Sequence, residues 1–201
     1  MAGDLTPTPP RGRHALLACL AAALTLAVPH AALATPPAFD CDADTDGVRL
    51  AICADPDLGT LERTLAETVA NALAGLPPGR ATALGEEQAA WWDQLKMCGD
   101  AAEPARCIGD ALAGRTALVA ARFDLAGSGA TETLVCADGS GLVRTTFPTA
   151  PVVIRLDRGA IRLYLVERGT GVFAGGGAQF RVAGDGGTLV LDGTETTCAA
   201  P

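Results

Sequence analysis

Apolar positions recur along this chain at two different periods. Leu58, Leu61, Leu65, Val69, Leu73 and Leu76 fall three or four residues apart and form one stripe of a helix over 57–75. Asp55 or Asp57 caps that helix, Pro56 suits its first turn, and Pro77-Pro78-Gly79 stops it. A second helix over 82–96 turns Leu84, Trp91, Leu95 and Cys98 inward and ends at Gly99. A third opens at Pro104 and carries Cys107, Ile108, Leu112, Leu118 and Val119 to about Arg122. Val48 to Cys53 is a short helical turn. Two adjacent tryptophans cannot share one helix face, which places Trp91 in the core and Trp92 half-exposed, toward the second half of the chain.

Beyond Arg122 the helical period is lost. Leu134 to Cys136, Val152 to Ile154, Ile161 to Val166, Phe180 to Val182 and Thr188 to Leu191 are short apolar runs separated by Gly, Pro, Asp and Ser, the pattern of a small antiparallel sheet. Fourteen of the 24 glycines lie here, against eight in 35–122. Gly175-Gly176-Gly177 and Gly186-Gly187 therefore read as hairpin turns. A phosphate-cradling loop would need a following helix and usually a Lys, and neither follows these glycines. With Gly127-Ser128-Gly129 as a hinge, the pattern predicts an α+β chain in two domains, helical over 35–122 and a sheet over 123–201.

The first 34 residues stand apart from both. Arg11 and Arg13 precede an apolar stretch over 15–28, and Ala32-Leu33-Ala34 supplies the small residues that a signal peptidase reads. The stretch is shorter than the ~20 residues of a membrane span, so residues 1–34 are expected to be a signal peptide and the chain to be periplasmic or secreted. Leu16-Leu17-Ala18-Cys19 loosely resembles a lipoprotein cleavage box, but its longer apolar run follows the cysteine, which makes a lipid anchor at Cys19 the lesser reading.

Six of the seven cysteines remain after Cys19: Cys41, Cys53, Cys98, Cys107, Cys136 and Cys198. An even number in an exported chain reads as a disulfide framework, with fifteen formal pairings. Cys41 with Cys53, and Cys98 with Cys107 at adjoining helix ends, are neighbours in sequence. Cys136 with Cys198 would tie the first strand of the sheet to its end. There is no CxxC pair, and both histidines, His14 and His30, lie in the signal segment. Without imidazole, the common hydrolase and zinc-site designs are unavailable, and neither metal nor cofactor is expected.

The chain carries a net charge of -8. The helical region 38–122 holds 14 acidic and 7 basic residues, and 123–201 holds 8 and 6. That sign disfavours nucleic acid and anionic membrane surfaces and favours a basic partner. Asp40, Asp42, Asp44 and Asp46 lack the Gly and distal Glu of a calcium loop and read as a solvated acidic turn. Glu86-Glu87 reads as favourable charge at a helix start. Arg49, Arg106 and Arg115 read as surface or interhelix ion-pair partners, and Arg155, Arg158, Arg162 and Arg168 as outward strand and turn residues, not a nucleic-acid stripe. A carboxylate-based glycan hydrolase would need two acids facing each other at ~5–10 Å. No catalytic motif is evident, and the chain is expected not to be an enzyme.

Two family resemblances add to this reading. Phe39-Asp40-Cys41, Ile52-Cys53-Ala54-Asp55-Pro56-Asp57-Leu58, Leu61-Glu62, Glu87-Gln88-Ala89-Ala90-Trp91, Cys98, Cys107-Ile108 and Arg115 resemble the LprI-like domain, a secreted helical family linked to lysozyme inhibition. Arg49 stands where that family usually has Glu, and Val69 where an aromatic is common. The second half resembles the MliC/PliC inhibitors of chicken-type (C-type) lysozyme. Cys136-Ala137-Asp138-Gly139 matches their opening, Gly169-Thr170-Gly171-Val172-Phe173 their Ser-Gly-x-x-Tyr loop, Phe180 to Leu189 their Trp-x-Lys-Gly segment, and Cys198 their closing cysteine.

The second resemblance implies a small eight-stranded antiparallel barrel closed by a disulfide, inhibiting lysozyme by filling its cleft without a covalent step. The implied binding residues are Thr170, Gly171, Phe173, Arg181 and Arg168. Thr170 keeps the loop hydroxyl, and Phe173 supplies an apolar platform. Ala183 stands where the family has lysine, so a cation opposite the lysozyme carboxylates would come from Arg181 or Arg168. The alternative is a non-catalytic, envelope-associated binding or structural module that has lost inhibition.

Overall fold

A computed structural model describes residues 36–43 and 46–201. The expected signal segment, with Cys19, His14 and His30, and Asp44 of the acidic turn lie outside the described residues. Helix α1 spans Gly47–Ala54, α2 Pro56–Ala74, α3 Pro78–Leu95 and α4 Pro104–Arg122, with a 3-10 turn at Lys96–Asp100. Each start has a chemical cause. Asp46 accepts from the Val48 and Arg49 N–H groups, Asp55 accepts from Asp57 and Leu58, and α2, α3 and α4 each place a proline in the first turn, where no N–H partner is needed. Pro78 therefore begins α3 and does not merely stop α2, whose C-cap is Gly75. Helix α3, expected over 82–96, starts four residues earlier and ends at Leu95.

The apolar stripes meet in one core of Ile52, Leu58, Leu65, Leu84, Ile108 and Leu112, among others. Cys41–Cys53 and Cys98–Cys107 are bonded at its edge, spanning 12 and 9 residues. The segment before α1 is strapped to α2. The Ala38 N–H donates to Glu62 Oε2 at 2.5 Å, and Arg63 donates to the Pro36 and Pro37 carbonyls at 2.9 and 2.6 Å.

Glu62 is only 4% exposed. Burial raises its pKa, against the Ala38 N–H and the charges of Arg63 and Arg49. A raised carboxyl pKa means that the folded chain holds this proton more tightly than the unfolded one. Stability contributed here is fully present below the ordinary glutamate range and falls as pH rises through the raised value. Glu62→Gln keeps an acceptor for Ala38 and removes the titration. Its Tm relative to the parent is expected to rise between about pH 4 and pH 8, and a difference independent of pH would contradict this.

The second half is a closed barrel of eight antiparallel strands in sequential order. They are β1 Thr131–Cys136, β2 Gly141–Phe147, β3 Val153–Arg158, β4 Ile161–Gly169, β5 Val172–Gly175, β6 Ala178–Ala183, β7 Gly186–Leu191 and β8 Thr194–Ala199. Strand alternation sends Leu134, Leu142, Leu156, Leu165, Phe180 and Leu189 inward. The barrel closes where β1 meets β8, with Cys136 opposite Cys198, and these two are disulfide-bonded across 62 residues. The α+β layout, helices followed by an eight-stranded antiparallel barrel, is thus established.

Helix α4 joins the two parts. Ala117 and Ala121 pack against Phe147, Val153 and Val166 on the outer face of β2, β3 and β4, with Leu118 and Tyr164 at the margin. Small residues on the helix let the backbones approach. Gly129 of the link donates to the Thr146 carbonyl at 2.7 Å, and Thr146 donates back to Ala130 at 2.9 Å. The described residues form one compact unit. Among the described residues no helix is long and apolar enough to cross a membrane.

Candidate functional site

The β4–β5 turn and the end of β6 come together at one mouth of the barrel. Gly171 has φ +70°, a left-handed conformation that glycine adopts without the Cβ penalty, so the turn can close in two residues. Its N–H donates to Glu167 Oε1 at 3.4 Å, and its carbonyl accepts from the Val182 N–H at 2.8 Å. Val172 stands opposite Arg181 in the ladder. The Thr170-Gly171 turn and the Arg181 to Ala183 segment are therefore held side by side by backbone, with Thr170, Arg181, Val182 and Ala183 exposed.

Arg181 and Ala183 are two residues apart on one strand and so share a face. Arg181 donates to Gln179 Oε1 at 3.1 Å and, among the described residues, has no carboxylate within ion-pair distance. Its charge remains open to solvent on the side where the resemblance implies a lysine.

Phe173 and Arg168 lie elsewhere. Phe173 is 6% exposed, opposite Phe180 inside the barrel, so it anchors the turn from below and offers no outer platform. The register shifts between Glu167 and Gly169, placing Arg168 at an irregularity of the strand that re-aims its side chain. A Cβ built on Gly114 of α4 would lie 3.6 Å from its Nη1. Arg168 thus runs toward α4, away from the mouth.

A cation that the sequence reading passed over lies beneath the same mouth. Arg144 of β2 points inward and is 8% exposed. It is bonded to Glu132 through Nε at 2.8 Å and through Nη2, its Nη1 lies 3.5 Å from the Gly186 carbonyl, and its guanidinium sits 5.5 Å from the Phe180 ring centre. The signal was available in Leu142-Val143-Arg144-Thr145-Thr146, where alternation from Leu142 directs Arg144 inward. It required recognising β2 as a strand.

Elsewhere the carboxylates are held by arginines. Glu87 does not sit at a helix start, because α3 begins at Pro78. It lies mid-helix and bonds Arg115 at 2.8 Å and Arg122 at 2.6 Å. Burial pushes the Glu87 carboxyl up, but the hydrogen bonds from the two arginines outweigh it and hold the pKa below the ordinary value. Asp157 is set the same way, with burial opposed and outweighed by Arg162 and Arg155. Asp138 is paired with Arg158, and its pKa is lowered chiefly by hydrogen bonds from Ser140.

The acidic turn has local uses as well, with Asp46 capping α1 and Asp40 accepting from the Asp42 N–H at 3.0 Å. Among the described residues no group of three or more His, Cys, Asp or Glu side chains could hold a metal ion. Both tryptophans are half-buried. Trp92 stacks edge-on with Phe39, and Trp91, not Trp92, faces the barrel side, where it joins Val166 and Arg168 in one groove.

The second half of the molecule is a disulfide-closed eight-stranded barrel with a two-residue turn at one rim, beside an arginine that has no ion pair among the described residues. No family model, curated protein or solved structure matches the chain.

Proposed function

We propose that the protein is an exported, non-enzymatic inhibitor of C-type lysozyme, with an LprI-like helical region over 35–122 and an MliC/PliC-like barrel over 123–201. It acts by placing the Thr170-Gly171 turn and the Arg181 end of β6 in the enzyme cleft. The observation that carries this reading is the 2.8 Å hydrogen bond from Val182 to Gly171, which joins the two segments that the sequence resemblance assigns to the cleft. Arg181 then offers its guanidinium to the catalytic carboxylates in place of the lysine that Ala183 lacks, and Thr170 offers a hydroxyl. The net charge of -8 favours encounter with a basic enzyme.

Occlusion makes a specific kinetic prediction. A chito-oligosaccharide occupying the lysozyme cleft is expected to compete with the chain, raising its apparent Kd in proportion to oligosaccharide concentration. Thr170→Val is expected to weaken binding by about threefold to tenfold, the loss of one hydrogen bond. Binding indifferent to the oligosaccharide would favour instead a module of the envelope that contacts proteins by another surface.

A further inference from the structure

The seam between α4 and the barrel carries an unusual charge for so acidic a chain. Two adjoining grooves, of about 520 and about 390 Å³, share Leu118 and Gly176. Four arginines line them, Arg115, Arg122, Arg162 and Arg168, against two carboxylates, Glu87 and Asp110. Arg162 is bonded to Asp157 at 2.6 Å, so the seam keeps an excess of one positive charge while the chain as a whole is at -8. Glu87 already serves both Arg115 and Arg122, and Asp110 lies 3.9 Å from Arg106.

Within the larger groove the hydrogen-bonding capacity of Arg115 is incompletely used. Arg115 is 6% exposed. Its Nη1 goes to Glu87 and its Nε to Gln88 Oε1 at 2.9 Å, and its guanidinium carbon lies 6.0 Å from the Trp91 ring centre, but Nη2 is the one buried side-chain nitrogen or oxygen without a hydrogen-bond partner among the described residues. Buried guanidinium N–H groups normally have acceptors. Arg168 lines the same groove, with its Nη1 close to Gly114, and is exposed and without an ion pair among the described residues. Trp91, Leu118 and Val166 give the groove an apolar side, and its volume lies in the range of small-molecule sites.

We propose that this groove binds a small organic carboxylate with an apolar body, the carboxylate taken by Arg168 and by Nη2 of Arg115 and the body lying against Trp91 and Leu118. A carboxylate matches the planar guanidinium fork and supplies the acceptor that Arg115 lacks. Gln94 and Arg168, both exposed, are the side chains that rearrange as it enters. The site lies on the outer face of β4, apart from the barrel mouth, and does not depend on the inhibitor reading.

Calorimetric titration of the oxidised chain with 3-phenylpropionate and with 3-phenylpropionamide tests this, because the two probes share a shape and differ in charge. The acid is expected to bind with a Kd near or below about 1 mM and the amide at least about tenfold more weakly. Arg168→Gln, a change at an exposed position, is expected to weaken the acid about tenfold and leave the amide unchanged. Equal affinity for the two probes, no binding of the acid at about 10 mM, or an Arg168→Gln variant that binds the acid as the parent does would each overturn the proposal. Lysozyme inhibition is read separately and is not required by any of these outcomes.

Discussion

Replacing Cys136 and Cys198 together by serine is expected to cost about 4 kcal/mol of stability, the largest loss among the three disulfides. The chain-entropy estimate grows with loop length, and this bond spans 62 residues against 12 and 9 for the helical pair. Its position compounds the effect. The β1–β8 seam holds only two residue pairs in register, Val135 with Ala199 and Cys136 with Cys198, where β3–β4 and β6–β7 hold six each. The covalent bond thus lies at the weakest ladder of a sheet that must close to satisfy its edges. A loss of that size is a large share of the ~5–15 kcal/mol of a typical domain. Guanidinium unfolding of the double variant beside a Cys41/Cys53 double variant measures it. A cost below about 1 kcal/mol for the barrel pair would show that the ladder closes without help.

Gly186→Ala is expected to cost about 3 kcal/mol. A Cβ at this position overlaps the Cys198 carbonyl oxygen and the Ala199 Cα, both backbone atoms of the neighbouring strand that no rotamer change can clear. Strands β7 and β8 would have to part next to the closing disulfide, and the Gly186 carbonyl would shift away from Arg144. Gly141→Ala is the internal control. Its Cβ meets nothing within 4 Å, and its cost is expected to stay below about 1 kcal/mol. Thermal unfolding of both variants decides the point, since equal losses would mean that a general glycine effect, and not the β7–β8 approach, dominates.

Much of this architecture was legible in the sequence, for identifiable reasons. The α2 and α4 stripes are long enough to fix the helical period, and Asp55 and the prolines mark the starts. The adjacent cysteine pairs reflect short local loops. Three strands were not legible, β2, β5 and β8, the last being the polar Thr194–Ala199, in which only Cys198 is buried. The inward positions of β2 are Leu142, Arg144 and Thr146, while its outward Phe147 is covered by α4, so the apolar and polar faces of the strand are mixed. Strand β5 has only four residues, too few for a period to show. The same physics hid part of the site. Alternation into β5 buries Phe173, and the irregularity in β4 turns Arg168 toward α4, neither of which can be read from spacing alone. Pro77-Pro78 reads equally as a stop and a start, and choosing the stop misplaced Glu87 relative to the beginning of its helix.

The most direct test of the proposed role is titration of a C-type lysozyme digesting cell walls with the oxidised chain, parent beside Arg181→Glu. The parent is expected to inhibit with saturation at one chain per enzyme. Reversing the charge at Arg181 should weaken inhibition by at least about tenfold, since a like charge then faces the catalytic carboxylates. Absence of inhibition by the parent at micromolar concentration, or equal inhibition by the two, would contradict cleft occlusion through the Thr170 turn and Arg181.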